Sequence, residues 1–169
     1  MNRFAWLLDR LAYEPRRNGK LALIADYLRT TPDPDRGYAL AAMTGGLVFR
    51  NAKAGMVRAL IAERTDPVLF ALSYDYVGDL SETVALMWPA RHGANDVPHL
   101  PDVVAGLHES GKSELPGLIA SWLDALDETG RWALLKLVTG AMRIGVSARL
   151  AKTAAAALGD KDPHDVELI

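Results

Sequence analysis

The chain has 169 residues, 50% of them hydrophobic, a formal net charge of −2 and no cysteine. Such a composition supplies a core and excludes wholesale disorder, disulfides and thiolate metal ligands. No run approaches the roughly 20 apolar residues of a membrane span, and the N-terminal "MNRFAWLLDRLAYEPRR" is too charged and too short in its apolar part for a secretory signal, so a cytoplasmic protein is expected.

In chain order, "RFAWLLDRLAYE" places Phe4, Leu7, Leu8 and Leu11 at helical spacing. After the breaker-rich "EPRRNG", the stretch "GKLALIADYLR" carries Leu21, Ile24, Tyr27 and Leu28 on one side. Proline and glycine in "TTPDPDRG" end that helix and start another through "YALAAM". "AKAGMVRALIAER", "DPVLFALSYDY", "DLSETVALMW" and "PDVVAGLHES" read as further short helices. "ELPGLIASWLDALDE" carries a wide apolar stripe of Leu115, Leu118, Ile119, Trp122, Leu123 and Leu126, and "RWALLKLVT" and "SARLAKTAAAAL" close the series. No segment alternates like a strand. The prediction is a compact all-α domain of roughly nine to ten short helices joined by short turns. The polar end "GDKDPHDVELI" reads as a linker.

Charge is segregated along the chain. From Thr129 to Gly159 there is no acid, yet Arg131, Lys136, Arg143, Arg149 and Lys152 fall there. Near the N-terminus, Arg3, Arg10, Arg16, Arg17 and Lys20 face only Asp9 and Glu14, while "ERTDPVLFALSYDYVGDLSE" between the two ends is acidic. If the ends fold together they form a positive surface suited to a polyanion; otherwise they are ordinary solvated faces.

Catalytic constellations are lacking. His92, His99, His108 and His164 show no metal-binding spacing, and "TGGLVFRNAKAG" lacks the order of a phosphate-cradling loop, which disfavours a nucleotide-binding enzyme. Asp79 before "LSETV" suits a helix N-cap, with Glu82 closing a capping box. Two basic turns remain. In "LVTGAMRIGVSARL", Gly140 and Gly145 bracket Arg143, Ser147 is placed to cap the next helix, and Lys136 and Arg149 add charge on either side. In "PRRNGK", Arg16, Arg17, Asn18 and Lys20 surround another helix start. Helix N-termini with free amides attract phosphate. Each turn alone also reads as a structural joint; together they suggest a surface that grips a nucleic-acid backbone.

These segments carry a resemblance. "LVTGAMRIGVSARL" looks like the RIG-containing signature of the N-terminal DNA-binding domain of ATP-dependent DNA ligases. "YVGDLSETVALMW" resembles the GDLG segment of that domain, with Ser81 where glycine is usual, and "RRNGKLALIADYLR" is similar to its first element. The matches keep the family's order over residues 4–158.

The resemblance implies that residues 1–160 form a helical domain gripping double-stranded, preferentially nicked DNA without reading sequence. Residues 161–169 would lead toward nucleotidyltransferase and OB-fold domains of the same parent chain, a bacterial, nucleoid-associated enzyme of repair or replication. It implies DNA contacts from Arg16, Arg17, Asn18, Lys20, Lys136, Gly140, Arg143, Gly145, Ser147 and Arg149. ATP and Mg2+ would serve the parent ligase and no cofactor this domain. No lysine here begins a KxDG adenylation motif, so the chain alone should be inactive. The rival reading is an α-helical protein-interaction module, which exposed Trp6, Trp88 or Trp122 would favour.

Overall fold

The helical periodicities are realised throughout the computed structural model, which describes residues 1–89, 96–140 and 146–158. Among them are ten α-helices and no strand. Helix α1 (Asn2–Tyr13) buries Phe4, Leu7, Leu8 and Leu11, the residues whose spacing predicted it. Contacts divide the chain into two units: Met1–Ala5 with Phe49–Ala141, and Trp6–Val48 with Met142–Ile169.

The second of these units contains α2 (Arg17–Thr30), α3 (Asp35–Met43) and α10 (Ala148–Leu158). α10 packs chiefly on α2 and also on α3. It buries Leu150, Ala151, Ala154 and Ala156, against Ile24, Tyr27 and Leu28 as the buried residues of α2. The alanines let the α10 backbone come close to its neighbours, so the two chain ends fold into one body.

The other unit contains α4 (Ala54–Arg64), α5 (Pro67–Val77), α6 (Leu80–Met87), α7 (Leu100–Glu109), α8 (Leu115–Ala125) and α9 (Glu128–Thr139). α9 touches α4, α6 and α8, and its run from Ala133 to Val138 is buried on every side. A helix buried all round belongs at the centre of its unit. The joint between α5 and α6 is made by Gly78, left-handed at φ 77°, and by Asp79, whose Oδ1 accepts from the Glu82 amide at 2.8 Å. The sequence-predicted N-cap is in place.

A polar network ties the helices around α9. Arg131 is buried, and its Nε donates to the Leu123 carbonyl at 2.8 Å while Nη1 donates to that of Trp88 at 3.2 Å. Both carbonyls lie at helix C-termini, where backbone acceptors lack partners of their own. Trp88 Nε1 and Arg64 Nη1 both donate to Asp124 Oδ1, at 2.9 and 3.2 Å, and the Arg64 guanidinium lies 4.7 Å from the Trp88 ring centroid. Burial pushes the Arg131 guanidinium below its ordinary value and Asp124, Asp127 and Glu128 pull it back, so it stays cationic at neutral pH.

Replacing Arg131 by Met keeps the aliphatic stem but leaves both carbonyls unpaired. We expect a loss of about 2–4 kcal/mol in chemical denaturation. Arg64→Met should cost about 1 kcal/mol, because Arg64 is 30% exposed and Trp88 still holds Asp124. Equal losses would show that Arg131 is no more central than a surface cation.

Candidate nucleic-acid interface

The starts of α2 and α10 open on one cleft of about 490 Å3, lined by Pro15, Arg17, Lys20, Ser147, Arg149 and Leu150. Each helix arrives there for a local reason. Pro15 cannot extend α1, and Arg16 takes an extended conformation (φ −88°, ψ 133°) before α2 begins. Arg16 offers no side-chain cap to the first amides of α2. At α10, Ser147 Oγ accepts from the Leu150 amide at 3.1 Å, as its N-cap role predicts. That leaves the amides of Ala148 and Arg149 facing out from the positive end of the helix dipole. Among the described residues no carboxylate pairs with Arg17 or Arg149, and both side chains are exposed.

Glu14 sets the edge of this field. Its Oε1 accepts from the Arg16 amide at 3.0 Å and from Arg16 Nε at 3.1 Å, and its side chain lies over Gly19, which has no Cβ to displace it. The Arg16 side chain, the Arg16 amide and the charges of Arg16 and Lys20 hold the Glu14 carboxyl below its usual value, against a small upward push from burial. Glu14 therefore offsets part of the charge of both Arg16 and Lys20, while Arg17 and Arg149 have no carboxylate partner among the described residues.

The sequence-predicted residues thus divide. Arg17, Lys20, Ser147 and Arg149 are brought together. Arg16 and Asn18 are exposed beside them without lining the cleft. Arg143 and Gly145 lie outside the described residues, as do His92 and His164. Pro15 and Leu150 were not anticipated; their signals were a proline just before a helix and an apolar residue one turn into the next. Of Trp6, Trp88 and Trp122, whose exposure would favour the interaction-module reading, Trp6 is exposed, at 51%, and the other two are buried.

Lys136 requires a correction. Its side chain is only 9% exposed, and Nζ donates to Asp79 Oδ2 at 2.6 Å. The sequence suggested a cation near the glycine turn, but α9 is buried all round, so this ammonium is spent on the α5–α6 joint. Arg131 is likewise consumed internally. The acid-free stretch 129–159 therefore presents less positive surface than its composition implies. Burial, the largest single influence on Asp79, raises its pKa, but the hydrogen bonds from Lys136 and the Glu82 and Ser81 amides, with the charge of Lys136, outweigh it and hold the carboxyl below the ordinary value.

Gly140 is the C-cap of α9, left-handed at φ 70°, with its amide donating to the Leu137 carbonyl at 3.4 Å. A Cβ there would meet nothing within 4 Å, so the glycine answers a conformational demand and not a steric one. No protein-family model matches the chain, and no curated protein does either.

The following outcomes are expected. Lys136→Met should cost about 1–2 kcal/mol at neutral pH, less than a fully buried pair because Asp79 is 36% exposed. A depressed carboxylate stabilises above its unfolded pKa and loses that contribution as pH falls through the folded value. The gap between parent and variant should therefore narrow below about pH 4. A gap unchanged into strong acid would mean that Lys136 acts by packing alone. Gly140→Ala should cost about 1–2 kcal/mol through the left-handed backbone; thermal unfolding indistinguishable from the parent would contradict that.

Proposed function

We propose that this chain binds duplex DNA through its sugar–phosphate backbone, without reading sequence, as the N-terminal DNA-binding domain of an ATP-dependent DNA ligase. The observation that carries the binding half of this reading is the cleft where α2 and α10 begin, flanked by Arg17, Lys20 and Arg149. The amides left over at the two helix starts, with cationic side chains around them, suit phosphate oxygens. Such contacts position a duplex and carry no sequence information. The ligase half rests on the RIG, GDL and "RRNGK" segments.

Two of those segments meet in the fold. The GDL segment supplies Asp79, and the helix entering the RIG segment supplies Lys136, so an ion pair joins them. In the parent enzyme, sealing of a 5′-phosphate to a 3′-hydroxyl would fall to the nucleotidyltransferase and OB-fold domains with ATP and Mg2+. This chain, with no KxDG lysine, would contribute grip alone.

A titration with nicked, intact and single-stranded DNA at low and physiological salt tests the proposal. Affinity should fall steeply with salt, follow no sequence, and be highest for the nicked duplex. Alanine at Arg17 or Arg149 should each lower the salt slope by about one. Arg16→Ala should do less, since Glu14 already pairs with it. Lys112→Glu, on an exposed residue of the other unit, should leave binding near the parent value. Binding indifferent to salt would overturn the reading.

A further inference from the structure

The unit built around α9 carries a surface of opposite character to the basic cleft. α5 buries none of its residues, although it is among the most apolar helices in the chain. Val68, Leu69, Leu72 and Tyr76 are 69%, 56%, 63% and 93% exposed, and Leu86 on α6 is 52% exposed. Positions 69, 72 and 76 fall on one side of a helix, so these residues form a continuous stripe and not scattered apolar points. Beside it, α5 and α6 leave an open groove of about 340 Å3, whose lining includes Leu72, Tyr76, Val77, Leu86 and Met87 with Thr83 as a polar point. The flexible methionine and the large tyrosine let such a groove adapt to side chains entering it.

Along α5 and α6 themselves the charge has one sign, although Arg58 of α4 lies 6.0 Å from the ring centroid of Tyr74 on α5. Asp66, Asp75 and Glu82 are exposed on α5, α6 and their caps, and no lysine or arginine occurs from Thr65 to Ala90. Asp79 is engaged by Lys136 and so does not add to the free field. A negative, apolar surface repels nucleic acid and anionic lipid alike. It also disfavours a second copy of the same face, since a two-fold contact would set Asp75 and Glu82 near their own counterparts.

We propose that the α5–α6 face docks an amphipathic α-helix of a protein partner, with apolar anchors along the Leu69–Leu72–Tyr76 stripe and lysines or arginines at its edges facing Asp75 and Glu82. Charge complementarity chooses this occupant, and the geometry suits it. A groove between two helices receives the ridges of a third, with anchors repeating at i, i+3 or i+4, and i+7. The surface is independent of the DNA-binding proposal, because no residue is shared with the basic cleft.

The probe is a fluorescein-labelled amphipathic peptide of about five helical turns, with leucines at anchor spacing and lysines flanking them. A counterpart carries glutamates in place of the lysines. Anisotropy titrations on the whole chain should show saturable binding of the lysine peptide and at least about tenfold weaker binding of the glutamate peptide. Leu72→Asp and Leu86→Asp should each weaken the lysine peptide about tenfold or more with unchanged melting temperature, as both side chains are exposed. Asp75→Lys should weaken the lysine peptide and strengthen the glutamate one. Absence of binding, equal binding of the two peptides, or binding that survives Leu72→Asp would overturn the proposal. So would a dimer in sedimentation, or adsorption to anionic vesicles, that Leu72→Asp abolishes.

Discussion

Burial of α9 on nearly every side is the constraint from which much of its unit follows. The helix carries two cations, Arg131 and Lys136, into that environment. A buried charge without partners is too costly to keep, so the surrounding helices must end where these side chains can reach acceptors. Arg131 takes carbonyls at the ends of α6 and α8, and Lys136 takes the carboxylate that caps α6. One helix thereby fixes the terminations of its neighbours.

That arrangement also decides where positive charge reaches solvent. A basic stretch of sequence becomes a basic surface only if the helix bearing it is exposed. Among the described residues of 129–159, Arg131 and Lys136 are consumed inside and Arg149, at the start of α10, is exposed. Because α10 packs on α2, Arg149 meets Arg17 and Lys20, which come from the other end of the chain. The acidic middle of the sequence stays on α5 and α6, in the other unit, where it borders exposed apolar residues.

The helices were legible because their apolar residues recur at 3.6-residue spacing and their breakers are strong: Asp79, Ser147 and Gly78 do what their residue types favour. Half of the candidate site was legible for the same reason, since a helix start next to basic residues can be read locally. The fate of Lys136 was not, because its partner is 57 positions away and only the packing of α9 brings them together. The exposure of α5 was hidden too. "PVLFALSYDYV" is apolar enough to be a core helix, and periodicity cannot say whether a neighbour covers it. Gly140, which the resemblance implies meets DNA, is also the left-handed C-cap of α9, a geometry that the sequence around it does not distinguish from a ligand contact.

Amide hydrogen exchange of the chain with and without a nicked duplex tests the central claim, that the paired helix starts grip phosphate. The account predicts slowed exchange at the first amides of α2, in Arg17–Gly19, and at Ala148 and Arg149, with α5 unchanged. A duplex that binds while those amides exchange as before, or that protects α5 instead, would contradict it.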